Sequence, residues 1–162
     1  MCQKARMSKP EISIGPEDPR QADVRRIFAE SGAYLQALYP SESNHVVDVD
    51  ALAGSDAVFL AARRNGELLG SIAFRIIAPG HAEMKRMFVR AEARRAGLGR
   101  RLLDALEDAA RLRDIDRISL ETGIKQPEAI GLYRASGYQD CPPFGSYNDD
   151  PLSLFMTKRL QP

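Results

Sequence analysis

Apolar positions recur along this chain in two rhythms, one of about two residues and one of about three and a half. Ile12 and Ile14 alternate with polar neighbours and predict a first strand, stopped at Gly15-Pro16. From Asp18-Pro19 the spacing lengthens. Val24, Ile27, Phe28, Leu35 and Leu38 fit one helical face, with a break expected near Gly32. Pro40-Ser41-Glu42-Ser43-Asn44 reads as loop, and a short helix is expected around Asp50–Gly54. Val58–Ala62 predicts a strand, Asn65-Gly66 a hairpin turn, and Leu68–Ile77 the returning strand. Pro79-Gly80 turns the chain into a further strand, His81–Val89. Leu98, Leu102, Leu106 and Ala109 form the inner stripe of a helix whose Asp104, Glu107, Asp108 and Arg111 are expected to face water. Ile118 and Leu120 mark another strand. Pro127 suits the first turn of the next helix, and Gly137 its end. Leu152–Leu160 is the last strand, with Leu154, Met156 and Lys158 on one side.

This order predicts an α/β (α+β) fold: a mixed, mostly antiparallel sheet of six to seven strands with helices on both faces. The 162 residues suit one domain, 11–162, behind a loose tail, 1–10. A net charge of +1 gives no global pull toward nucleic acid or an anionic membrane. No apolar run is long enough to span a bilayer, and Met1–Met7 lacks the apolar core of a signal peptide. Cys2 and Cys141 show neither metal-ligand spacing nor a disulfide framework, so a cytoplasmic chain without metal is expected.

Positive charge is instead local, concentrated in residues 85–101. Here a strand leads through an arginine- and glycine-rich turn, Arg94-Arg95-Ala96-Gly97-Leu98-Gly99-Arg100-Arg101, into a helix. A helix start presents backbone N–H groups without intrahelical partners, and the helix dipole adds positive charge there. Phosphate is the natural occupant, and glycine lets it approach the backbone closely. A solvated basic face is an equal alternative on spacing alone. A P-loop is excluded, because no Lys-Ser/Thr follows Gly99; a dinucleotide fingerprint is excluded by Leu102 in place of its third glycine.

Two motifs together give the chain a resemblance. Arg94-x-x-Gly97-x-Gly99 matches the Arg/Gln-x-x-Gly-x-Gly/Ala turn of the GNAT superfamily of N-acetyltransferases. Ala129-x-x-Leu132-Tyr133-x-x-x-Gly137-Tyr138 matches that family's second signature, in the right order and across a helix and a strand. The resemblance covers roughly residues 11–160. It implies acetyl-CoA as co-substrate. Met87, Phe88 and Val89 would offer backbone groups to the pantetheine arm as if to an added strand. Arg94, Arg95, Ala96, Gly97, Leu98, Gly99 and Arg100 would hold the pyrophosphate. Gln126 stands where many members carry an asparagine that contacts the cofactor; glutamine offers the same hydrogen bonds with a longer reach.

The resemblance also implies the chemistry. An amine attacks the thioester, and the sulfur leaves. Tyr133 occupies the family's acid position, and a phenol with pKa near ~10 is protonated at neutral pH. Glu83 stands at the offset of a catalytic glutamate in histone-acetyltransferase-like members, and it would act on the amine through water. By the two-residue period, Glu83, Lys85, Met87 and Val89 should share one face of their strand. Glu121 is the rival base. The N–H of Phe88 or Val89 would receive the oxyanion. His45 and His81 lie in neither motif and are not favoured.

The acceptor cleft is expected from residues 28–48 and 140–152. Phe144 and Tyr147 could wall it, Tyr34 and Tyr39 could line it or simply pack, and Asp149, Asp150 and Glu42 would favour a cationic amine; a solvated acidic loop is an equal alternative. A small amine, an amino acid, or a peptide or protein amine all remain open, as does homodimerisation. The alternative class is a non-catalytic acyl-CoA-binding sensor or interaction domain. Nucleic-acid binding through 85–101 is not favoured, because few aromatics interleave the arginines.

Overall fold

The computed structural model describes residues 10–41 and 48–162, so Cys2, Glu42 and His45 lie outside the described residues. In chain order the elements are β1 (Ser13–Pro16), α1 (Ala22–Leu38), β2 (Ala57–Arg64), β3 (Glu67–Ala78), β4 (His81–Val89), α2 (Leu98–Arg111), β5 (Arg117–Gly123), α3 (Pro127–Ala135), β6 (Gln139–Asp140) and β7 (Ser153–Arg159). Single 3-10 turns occupy Asp50–Leu52 and Ala91–Ala93. The strands form one seven-stranded sheet in the order β1-β2-β3-β4-β5-β7-β6. Every pairing is antiparallel except β4 with β5. The mixed sheet is therefore as expected. The short β6 carried no periodic signal at two residues.

Each face of the sheet has its own apolar layer. On one face, Val24, Ile27 and Phe28 of α1 pack with Leu52, Phe59, Ala61, Leu68 and Ala73. On the other, Leu98, Leu102, Leu103 and Leu106 of α2 pack with Leu60, Ile72, Phe74 and Met84. Arg63 of β2 ties the α1 end of the first layer down, bonding Glu17 at 2.8 Å and Asp23 at 2.7 Å. Those guanidinium bonds hold both carboxyls below their usual range.

Three local expectations are corrected. α1 runs through Gly32 unbroken, because the residue has open space around it and loses only helix propensity, about 1 kcal/mol. Glu107 does not face water: it is buried and accepts from the Lys158 ammonium of β7 at 2.8 and 3.0 Å. A buried carboxylate needs such a partner, and the sequence spacing could not reveal one so far along the chain. Finally, the expected α2 stripe lacks Ala110, which is fully buried beside the partly buried Ala109.

Candidate active site

The site begins where two parallel strands part. β4 and β5 pair only at His81–Arg117, Ala82–Ile118 and Glu83–Ser119. Beyond that point neither strand bonds to the other, and a cavity of about 680 Å³ opens between them. β4 itself is irregular here. Ser71 faces Phe88 and Ala73 faces Lys85, so Arg86 and Met87 together oppose Ile72 in a bulge. Arg86 takes a φ of 55°, and the buried Ser71 hydroxyl donates to its carbonyl at 2.9 Å. The bulge shifts the alternation by one residue. Glu83, Lys85 and Phe88 therefore share the α1 face, whereas Met87 and Val89 pack with Met84 in the α2 layer. The expected grouping of Glu83, Lys85, Met87 and Val89 is thus corrected, since an extra residue reverses every later side chain.

The bulge also settles which backbone groups face the gap. Arg90 N–H donates to the Leu69 carbonyl at 2.8 Å, so by alternation Phe88 also points at β3. Val89 points the other way, and its carbonyl accepts from Arg94 Nε at 3.0 Å. Of the two N–H groups expected to serve the reaction, Val89 is the one turned to the gap.

At the far end of the gap the chain turns into α2. Gly97 precedes the helix at φ 76°, and Arg95 also takes a positive φ, 64°. Arg101 N–H is the first to bond within the turn, to the Gly97 carbonyl at 3.2 Å, and no side chain caps the helix. The N–H groups of Leu98, Gly99 and Arg100 are thus offered outward at the positive end of the helix dipole. A diphosphate fits that cradle. Gly99 has no room for more: a Cβ there would lie 2.9 Å from Leu132 Cδ2 and 3.4 Å from Met87 Cε. Arg94, Arg95 and Arg100 line the cavity. Arg101 does not, because its guanidinium bonds the Ile12 carbonyl at 2.8 Å.

Tyr133 and Glu121 meet the gap from opposite faces of the sheet. Tyr133, on α3, lies in the α2 layer, 6.1 Å from the Tyr138 ring, and also lines the cavity. Its hydroxyl makes no hydrogen bond among the described residues. Burial, assisted by the Glu121 charge, raises its pKa, so the phenol stays protonated at neutral pH. Glu121, on β5, lines the cavity and accepts from the Ser153 hydroxyl at 2.8 Å. Glu83 is placed differently. It is buried behind the wall, accepting from the Tyr147 hydroxyl and lying 2.9 Å from the Lys85 ammonium. Lys85 lines the cavity and in turn donates to the Tyr147 hydroxyl at 2.5 Å. Gln126 also lines it, just before α3, as does Met87. His81 is bonded to the Ser119 hydroxyl at 2.7 Å, and burial lowers its pKa.

The acceptor side departs from the sequence reading in two respects, since neither Phe144 nor Tyr147 is among the residues lining the cavity and the two aspartates lie apart from it, and it adds residues that reading missed. Phe144 and Tyr147 form an aromatic cluster with Phe155, at 5.2 to 5.9 Å between centroids. Asp149 and Asp150 sit apart, in a shallow depression with Cys141, Pro142 and Pro143. Asp150 is spent on the Leu152 N–H at 2.9 Å. Cations line the cavity instead: Lys85, Arg86 and Lys125. Tyr39 and Tyr34 both line it; Tyr39 is buried and accepts from Lys125 N–H at 2.9 Å, whereas Tyr34 is more than half exposed. Gly123 ends β5 beneath Tyr39, where any side chain would overlap the tyrosine hydroxyl. Neither Arg86 nor the Tyr39–Gly123 contact had a sequence signal, since one depends on a bulge and the other on packing between distant elements.

Known proteins share this arrangement. The family model described as the acetyltransferase (GNAT) family matches residues 23–138. An IAA acetyltransferase of Azospirillum brasilense is 47% identical over 93% of this chain and 99% of its own. The uncharacterized N-acetyltransferase YsnE of Bacillus subtilis is 37% identical, over 78% of this chain and 85% of its own. A Klebsiella pneumoniae structure assigned as an acyl-CoA N-acyltransferase superposes with a TM-score of 0.79 at 36% identity, covering 93% of this chain and 98% of that one. The PaiA N-acetyltransferase of Thermoplasma acidophilum, solved in complex with coenzyme A, shares the fold at a TM-score of 0.72 and 18% identity, covering 93% and 99%. With its parted strands, its open helix start and these relatives, the chain belongs to the GNAT family and is an acetyl-CoA-dependent N-acetyltransferase.

Proposed function

We propose that this enzyme acetylates the primary amine of a small molecule by direct attack, with the thioester in the β4–β5 gap and the amine on the sheet face that carries Glu121. The observation that carries this reading is that Tyr133 and Glu121 border one cavity from opposite faces of the sheet. Acetyl-CoA supplies an acyl carbon to which the amine nitrogen bonds as the C–S bond breaks. The chain's residues do the rest. The N–H groups at the start of α2 hold the diphosphate. Val89 N–H serves the pantetheine arm or the thioester oxygen. Glu121 takes the amine proton through water, and the Tyr133 hydroxyl donates to the departing sulfur. Burial keeps the phenol protonated at neutral pH, and the same dry gap disfavours a bare thiolate, so the hydroxyl is placed to donate as the C–S bond breaks. Glu83 has the second claim as base, because Lys85 joins its carboxylate to the cavity wall.

Tyr133→Phe tests the acid. Turnover should fall about 10²-fold, with CoA affinity nearly unchanged by calorimetry. Unchanged turnover would remove Tyr133 from the mechanism. Glu121→Gln against Glu83→Gln separates the bases: the true base loses the acidic limb of the pH–rate profile, the other only stability.

A further inference from the structure

We infer that the acceptor carries an apolar group beside its amine, and that Leu35 and Tyr34 of α1 receive it, so the acceptor class is the amines with a hydrocarbon side chain. This rests on the amine-acetylating reading above. The apolar stripe of α1 runs further than its packing does. Val24, Ile27 and Phe28 are buried against the sheet. Two helical turns past Ile27 and Phe28, the same repeat brings round Tyr34 and Leu35, with Ser31 between. All three line the cavity, and among the described residues neither Tyr34 nor Leu35 joins an apolar layer. The sheet beneath gives the reason. β4 and β5 stop pairing after Glu83–Ser119, so this half of the helix stands over the gap instead of over strands.

The overhang leaves a short apolar wall inside a polar cavity. Leu35 is partly buried and Tyr34 is 55% exposed. Of the exposed large apolar side chains among the described residues, Tyr34, Leu112 and Ile124, it is Tyr34 that lines the cavity. Phe88 completes the wall from the sheet side, packing against the α1 layer while lining the same cavity. Glu121 lies on this face as well, because Leu120 before it belongs to the α2 layer. An amine directed at Glu121 therefore carries its remaining atoms past Leu35, Tyr34 and Phe88. Hydrocarbon laid against them leaves water on both sides of the contact, whereas a second charge would give up its hydration against carbon. The diphosphate and the pantetheine arm take backbone N–H groups at the start of α2 and at Val89, which leaves the α1 side chains to the acceptor.

The test is a series of straight-chain amines from ethylamine to pentylamine, with 1,5-diaminopentane as the charged counterpart of the longest. Two readouts are taken, thiol release from acetyl-CoA and calorimetric binding to the CoA-loaded protein. Both kcat/KM and affinity should rise about fourfold per methylene, and the diamine should fall well below pentylamine. Leu35→Ala and Tyr34→Ser should each flatten the rise through the acceptor KM with CoA affinity retained, and Leu35→Met should keep it. Tyr34 is exposed enough that its replacement cannot act by unfolding the chain. Amines turned over with no dependence on length, a diamine as good as pentylamine, or a rise that survives both variants overturns the inference and leaves amine acetylation standing. Variants that weaken CoA instead of the acceptor also overturn it, since the wall would then serve the cofactor. Length-dependent binding that needs Leu35 but releases no thiol supports the inference and overturns the catalytic reading instead.

Discussion

The two halves of the cavity are made in opposite ways. The cofactor half comes largely from one run of chain, Val89 to Arg100, and works mainly through backbone: an N–H turned into a strand gap and a helix start left open. The acceptor half gathers Tyr34 from α1, Tyr39 just beyond it, Arg86 from a bulge, and Glu121 and Gly123 from the end of β5, with Tyr147 behind them. It works through side chains. The first half tolerates substitution wherever the backbone path survives. The second depends on contacts between residues far apart in sequence.

The sharpest way to break the acceptor half is Gly123→Ala. The added methyl displaces the buried Tyr39 and its bond with Lys125 N–H, so denaturant unfolding should show a loss of about 3 kcal/mol. In a Tyr39→Ala background the same change should cost much less, and equal costs would mean that the contact does not organise this wall. Next in size is Tyr147→Phe. It withdraws a hydrogen bond from the buried Glu83 and leaves the Lys85 ammonium paired with Glu83, with an expected loss of about 2 kcal/mol and a raised acceptor KM at constant CoA affinity.

The matching change in the cofactor half is Gly99→Val. Its side chain presses on Leu132 and Met87 at the start of α2, and calorimetry should show acetyl-CoA binding weakened about tenfold with the acceptor KM retained. If both constants move together, the two halves are not separable. The smallest effect lies outside the cavity, at Arg63→Gln. Glu17 and Asp23 have lowered pKa values in the fold, so their bonds to Arg63 stabilise it above the usual carboxylate range and are lost as pH falls through the folded values. The variant should lose less than about 1 kcal/mol at neutral pH, because these side chains keep some contact with water, and its stability should fall less steeply than the parent's between pH ~5 and ~3.

What could be read in advance follows the same division. The Gly97–Gly99 turn, the Leu98–Leu102–Leu106 stripe and the Pro127 start of α3 are local patterns, and each appears where its spacing placed it. The faces of β4 were misread because a bulge leaves no mark on apolar periodicity. Glu107 was misread because its partner, Lys158, is on the last strand. Asp149 and Asp150 were placed by nearness in sequence to Tyr147, yet the loop sends the aromatic inward and the carboxylates to another hollow.

The amino-acid sequence by itself determined the order of elements, the open helix start and the tyrosine on the third helix, because each is written in neighbours a few residues apart and obeys backbone geometry. Tertiary structure alone decided which way Arg86 faces, that Glu83 is locked to Lys85 and Tyr147, and that Tyr39 closes over Gly123. Those outcomes depend on strand register and on packing between distant segments, and a single extra residue in one strand is enough to reverse them.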